Sequence, residues 1–317
     1  MNRALKFPAQ GRADGAALIS ALFTVALATL LATQLITAQR DAIQNLIGRQ
    51  DLAQARWLAR GATDWARAIL AEDARTSQTD HLGEPWAIKV PPIPIQSGKN
   101  QDLQEGELSG EIVELDGRFN LNRLVSAGNV DRGQVQVFIR LLIGLDVPAS
   151  EAERLAQTLV DWLDLDSQTL EGEDEKAHYG IAFDNQPLLG VGGLLRVPGF
   201  TAATVSRMHD VVSALPRQVP LNLNTASIKV MAAEMPELEI EAIQRAVAER
   251  ERAPFRDIAD FNARVIGAAA NTRFGVVSSH FQVTTRASYG ESVVQLRTLV
   301  YRGSGGQWPD ILWQQIL

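Results

Sequence analysis

The chain opens with an abrupt change of polarity. Residues 1–15 mix charges with turn formers, Arg3, Lys6 and Arg12 standing against the single acid Asp14, and residues 16–36 then read AALISALFTVALATLLATQLI without one charge. About 20 apolar residues at roughly 1.5 Å rise each span a hydrocarbon core of roughly 30 Å, so this run predicts a membrane-spanning helix. Ser20, Thr24, Thr29, Thr33 and Gln34 weaken the run without forbidding insertion. A cleaved secretory signal has a shorter apolar region of about 7–15 residues, and a buried core helix has no need of an uncharged run this long. The basic leader puts the N-terminus on the cytoplasmic side.

Helical pattern continues past the run. Residues 37–74 contain no Pro and only Gly48 and Gly61 among good helix formers, while Ile43, Leu46, Ile47, Trp57, Leu58, Trp65 and Ile69 recur at helical spacing. That is the stripe of an amphipathic helix. The two stretches predict one rod of nearly 60 residues, roughly 85 Å long, with its inner half in lipid and one face of its outer half packed on a domain.

Beyond the rod, residues 75–107 are rich in Pro, Gln, Asp and Gly, and PPIPIQSGKNQ reads as a loop. Glu111-Ile-Val-Glu-Leu-Asp116 alternates as a strand. Residues 120–274 read as helical, with periodic segments at 134–145 and 149–163 and Thr-capped helices predicted over 201–214 and 225–235. Strand alternation returns over 279–288 and 292–301 around the turn Tyr289-Gly290-Glu291. A lone strand cannot satisfy its edges, so the piece at 111–116 is expected to pair with 279–301, leaving the helical block as an insertion. The predicted class is α+β: a long N-terminal helix and a small antiparallel sheet, carrying a large all-α insertion. The expected division is a leader over 1–15, a membrane half of the helix over 16–36 and an outer half over 37–74. A small α/β domain then comprises 75–119 and 275–317, and the insert 120–274.

Composition narrows the chemistry. Of 317 residues, 30 are Lys or Arg and 37 Asp or Glu, and the net charge of −7 disfavours a broad phosphate-binding face. Cysteine is absent, which removes disulfides, thiolate metal sites and Cys nucleophiles together. The histidines His81, His178, His209 and His280 are scattered, and no H-E-x-x-H, G-x-S-x-G, Walker or dinucleotide fingerprint occurs. The chain therefore reads as a non-enzyme with no catalytic residues.

One cluster stands out. Positions 159–175 hold seven carboxylates, Asp161, Asp164, Asp166, Glu171, Glu173, Asp174 and Glu175. Such density repels unless solvent or a cation screens it. Read as an EF-hand, Asp164, Asp166 and Glu175 would occupy loop positions 1, 3 and 12, but Thr169 stands where that loop needs Gly. By residues alone, a solvated acidic loop and a metal site remain equally open.

The short basic leader ending in Gly15, followed by a hydrophobic helix running into an amphipathic one, resembles the type IV pilin and pseudopilin class. The segments RFNLN, DWLDLD, NQPL, LRVPGF and NLNTA, in that order, resemble the K subunit of type II secretion, a minor pseudopilin. The resemblance implies a pilin-like fold with a helix-hairpin-helix or SAM-like insert. It implies cleavage by prepilin peptidase between Gly15 and Ala16, and a single span of the inner membrane with the bulk in the periplasm. Most relatives of the wider class carry Glu as the fifth mature residue, where this chain has Ser20, a departure that the K subunits share. The implied role is tip or initiation subunit of a periplasmic pseudopilus that exports folded proteins, with minor pseudopilins of the I and J type and the inner-membrane assembly platform as partners. It also implies a structural Ca²⁺ at Asp161, Asp164, Asp166, Glu173 and Asp174, although the section between Tyr179 and Asn185 is shorter than the family leads one to expect.

A second reading comes from the insert. Residues 194–205 and 219–261 resemble helix-hairpin-helix units, the latter similar to competence-type DNA-binding modules, which would make the chain a membrane-tethered DNA-binding protein. Its second hairpin reads Met235-Pro-Glu-Leu-Glu239, with acids where backbone amides should meet phosphate. No nucleic-acid partner is expected.

Overall fold

The computed structural model describes residues 13–96, 104–126, 128–164, 168–169, 178–179 and 185–317. Its first element is a helix of 64 residues, α1 (Ala13–Thr76), about 96 Å long. Ser20 and Thr24, Thr29, Thr33 and Thr37 each donate their hydroxyl back to a carbonyl three or four residues earlier. The hydroxyl groups of the apolar run are thereby satisfied inside the helix, which is what a lipid environment demands. Every residue from 16 to 50 is exposed.

The outer half of α1 packs on a five-stranded antiparallel sheet. Its members are β1 (Val90–Gln96), β2 (Gln104–Glu114), β9 (His280–Tyr289), β10 (Ser292–Tyr301) and β11 (Asp310–Ile316), in the order β1-β2-β9-β10-β11. The strand expected at 111–116 thus pairs with 280–289 as anticipated. Its partner β1 lies within the segment read as loop. Pro91, Pro92 and Pro94 obscured it, and proline is tolerated there because β1 is an edge strand that donates few ladder bonds. The other edge, β11, was likewise not foreseen. Small residues set the contact between helix and sheet. Ala55 and Ala59 lie against Ala287, Val294 and Leu296, while Ala66 and Leu70 lie against Phe281, Val283 and Val300 beside Trp86. Trp86 stands edge-on to Phe281 at 5.4 Å.

Between β2 and β9 the chain leaves the sheet to build the insert. Short pieces β3 (Phe119–Asn120), β4 (Val125–Ser126), β5 (Asn129–Val130), β6 (Val212–Ser213), β7 (Leu221–Asn222) and β8 (Phe274–Gly275) frame its helices. The described helices are α2 (Arg132–Ile143), α3 (Ala149–Leu163), α4 (Ala202–Met208), α5 (Ile228–Glu234), α6 (Ile240–Arg252) and α7 (Ile258–Arg264). Asp131, Thr201, Ser227 and Asp257 cap α2, α4, α5 and α7 through side-chain oxygens. The cap at 227 rather than 225 shortens the helix expected over 225–235, because Thr225 belongs to a turn closed on Asn222. Likewise α4 stops at Met208 and the chain turns into β6, which pairs in parallel with β3. One continuous core, from Phe119 and Phe138 through Leu155 and Leu159 to Phe255 and Phe261, holds the insert together.

Both crossings between sheet and insert lie side by side. The outward crossing runs through Leu115 to Phe119, the return crossing follows β8, and β8 pairs in parallel with β7. A small apolar cluster of Leu115, Leu215 and Leu299 seals the crossings.

Candidate functional site

Gly15 and Ala16 lie in the first turns of α1, and Ala16 is exposed. Ser20 is exposed as well, with its hydroxyl on Ala17 O at 3.0 Å.

Helix α3 delivers the first two acidic candidates. It forms because Leu155, Leu159, Val160 and Leu163 put an apolar face into the core, and it stops at Asp164, whose extended backbone (φ −76°, ψ 173°) closes the last turn. Asp161 is 1% exposed and accepts a hydrogen bond from Tyr179 Oη at 2.6 Å, and Asp164 is 6% exposed. The structure therefore brings Asp161 and Asp164 together on the buried end of α3. Asp166, Glu173 and Asp174 lie outside the described residues. Two carboxylates at a helix C-terminus face the negative end of the backbone dipole, so the position favours a cation. Oxygen-only donors suit Ca²⁺ better than a transition metal. Asp161 and Asp164 are oxygen donors of the class that such an ion takes.

A second acidic group was not anticipated. Asp73 on the last turns of α1, Asp80 and Glu84 have carboxylate oxygens within 4.8 Å of one another. Arg302, just after β10, joins two of them, Asp73 and Asp80. Its Nη1 donates to Asp73 Oδ2 at 2.6 Å, and its Nη2 donates to both oxygens of Asp80 and to Ser278 O. Glu84 accepts from Trp86 Nε1 at 2.8 Å and from His81 N–H at 3.0 Å. Burial pushes Asp73 up to about 6, with the Glu84 charge adding to the rise and Arg302 opposing it, and burial raises Asp80 as well. The guanidinium occupies the place of a cation, so this group is a structural ion cluster. Arg302 lies more than 200 positions from the acids it binds, and no local motif marks the group.

Next to it, Glu114 at the end of β2 is buried beside Asp116. Burial first, and the Asp116 charge second, push Glu114 up to about 8. Asp116 accepts from Ser279 N–H at 2.6 Å and contacts His280 Nδ1 at 3.1 Å.

The insert's second hairpin follows α5, and Glu237 and Glu239 at its bend are exposed. Glu234, the last residue of α5, is buried 3.7 Å from Arg123 Nη1.

Comparison with known proteins follows the same layout. Two family models, both described as "Type II secretion system (T2SS), protein K", match residues 117–217 and 221–284. The type II secretion system protein K of Pseudomonas aeruginosa is 33% identical over 315 residues, covering 93% of this chain and 90% of that protein. The protein of the same description from Klebsiella pneumoniae is 29% identical over 311 residues, covering 92% and 93%. Among solved structures, the GspK-GspI-GspJ complex of the enterotoxigenic Escherichia coli type 2 secretion system contains a chain that aligns at a TM-score of 0.73. That chain is 23% identical, and the match covers 86% of this chain and 99% of that one, a likeness of fold.

Proposed function

This chain belongs to the type II secretion system protein K family, and we propose that it works as a minor pseudopilin at the tip of the periplasmic pseudopilus, helping to start the filament that exports folded proteins. The observation that carries the reading is the 33% identity over 93% of the chain, too long a match to rest on the insert alone.

In this reading residues 16–36 cross the inner membrane once, with the N-terminus cytoplasmic and the sheet and insert periplasmic, as the basic leader favours. Prepilin peptidase cuts between Gly15 and Ala16. The apolar side chains of Leu18, Ile19, Phe23 and Leu31 are all more than half exposed, so they need lipid before assembly and neighbouring subunits after it. The partners are minor pseudopilins of the I and J type, in line with the composition of the E. coli complex, and the inner-membrane assembly platform.

Ser20 supports the tip position. A fifth-residue carboxylate is tolerable in lipid only when it is paired. Ser20 brings no charge and bonds to its own helix, so it offers nothing to the N-terminal amine of a subunit beyond it. The insert, hung on the sheet between β2 and β9, adds a steric stop to further stacking. Electron microscopy of isolated filaments carrying a label on the insert tests this: label at filament ends is expected, and label spread evenly along them contradicts capping.

Ca²⁺ belongs to the same proposal, held by Asp161, Asp164, Asp166, Glu173 and Asp174. It would neutralise the acidic segment and fix it against the end of α3, a structural role. The role of the chain as a whole is that of an assembly component rather than an enzyme. Binding of DNA is not favoured, because Glu237 and Glu239 put negative charge where a helix-hairpin-helix unit meets phosphate.

A further inference from the structure

We infer that the outer edge of β11 is a docking site for a β-strand of a neighbouring subunit of another kind, held through main-chain hydrogen bonds. The inference rests on the reading of this chain as one of several membrane-anchored subunits that stand side by side.

The two edges of the sheet are built differently. Strand β1 carries Pro91, Pro92 and Pro94, which lack N–H groups, and its register with β2 is broken at two points. Such features blunt an edge against further pairing. Strand β11 reads Asp310-Ile-Leu-Trp-Gln-Gln-Ile316, with no proline, no lysine and one charge, at its start. Ile311, Leu312 and Ile316 are 41%, 40% and 55% exposed. One irregularity, at Leu312, leaves Trp313–Ile316 in regular register with β10.

The free groups of that stretch can be named. Leu317 N–H donates to Gln295 O at 3.0 Å. Bonding alternates along an antiparallel ladder, so Trp313 and Gln315 also turn toward β10, and the N–H and C=O groups of Gln314 and Ile316 point away from the sheet. Among the described residues no strand lies beyond β11. An unguarded row of this kind is a template for strand addition, in which main-chain bonds supply the affinity.

Direction decides which strand fits. Ala55 and Ala59 of α1 lie against Val294 and Leu296, and Ala66 and Leu70 lie against Val300. Strand β10 therefore runs with the rod, and β11, antiparallel to β10, runs against it. Antiparallel pairing of β11 with the β11 of a second copy would set the two rods antiparallel, and both could not enter one membrane from the same side. Parallel pairing offsets the two strands by a residue, which breaks the two-fold symmetry of a closed pair of identical chains. The β1 edge of a second copy is closed by its prolines. The occupant is accordingly a strand of a different subunit. One whose sheet lies along its own rod brings its edge alongside β11 when the two rods stand parallel. The strand that fits is uncharged opposite Trp313–Ile316, where β11 offers no charge to pair with one.

The test is hydrogen exchange resolved to single amides by mass spectrometry, on the full-length chain in detergent micelles, alone and with minor pseudopilins of the I and J type. The amides of Gln314 and Ile316 are expected to gain roughly tenfold or more protection in the complex. Those of Trp313 and Gln315, already bonded to β10, should change little. Gln314→Pro removes an outward N–H from an edge strand, so it is expected to keep the melting temperature of the wild type and to weaken the complex about fivefold or more. Gln315→Pro cuts a bond to β10 and should lower the melting temperature. Should Gln314→Pro fail to fold, exchange of the wild type decides alone. A complex that forms without protecting Gln314 and Ile316 overturns the docking site and leaves the assembly reading standing, whereas absence of any complex overturns both. Protection of those two amides in the chain alone, rising with its concentration, would identify a second copy as the occupant and overturn the inference as well.

Discussion

Arg302 Nη1 meets Asp73 Oδ2 at 2.6 Å, joining the end of β10 to the last turns of the rod across 229 positions of sequence. The same guanidinium serves Asp80 and lies over the ring of Phe281 at 4.7 Å. Two acids, Asp73 and Asp80, thus depend on one cation where rod and sheet converge. Removing one partner of a buried ion pair leaves the other charges uncompensated. Arg302→Met is expected to cost about 3–5 kcal/mol in urea unfolding. Arg302→Lys should cost less, keeping the charge but losing the two-pronged geometry.

The pH dependence of this cluster has a definite sign. Asp73 moves from its ordinary 3.8 to about 6, chiefly through burial, so the folded chain binds a proton that the unfolded chain lacks in that interval. Its contribution to stability is full below about 3.8 and declines as pH rises to about 6. Asp73→Asn should flatten that part of the stability profile, measured as unfolding midpoints from pH 4 to 7.

The rod depends on close approach. Ala59 has no exposed surface, and its carbonyl accepts from Thr63 Oγ1 at 3.0 Å and from Thr285 Oγ1 at 3.1 Å. Ala59→Leu inserts volume where helix and sheet touch, and overpacking of this kind costs about 1–3 kcal/mol. The expected outcome is a lower melting temperature with faster proteolysis of residues 77–89.

Ca²⁺ removal gives a separate readout. A ligand present at about 100 times its Kd stabilises by about 2.7 kcal/mol, so a chelator should lower the melting temperature by several degrees. Asp161→Asn with Asp164→Asn should abolish that response. A chelator without effect on the wild type would count against the bound ion.

How far the sequence disclosed this structure depended on whether the signal was local. The rod was legible because an uncharged run followed by a stripe is a property of neighbouring residues. The pairing of β2 with β9 was legible because alternation in both strands left no other partner. Strand β1 was hidden by Pro91, Pro92 and Pro94, which are loop signals anywhere except a sheet edge. Strand β11 was hidden because its side chains are mostly exposed and lack the alternation that one buried face imposes. Of the acidic candidates, Asp161 and Asp164 lie together at one helix end. The Arg302 cluster and the bonds of Glu114 to Ser278 left no trace, since each joins residues more than 160 positions apart.

The central claim, that this chain is a minor pseudopilin built on a cleaved leader, is tested most directly by the N-terminal sequence of the mature protein isolated from cells that contain prepilin peptidase. The account predicts a first residue of Ala16, and Met1 retained when the peptidase is deleted. A mature chain that keeps residues 1–15 in the presence of the peptidase, or begins after the apolar run, would contradict it.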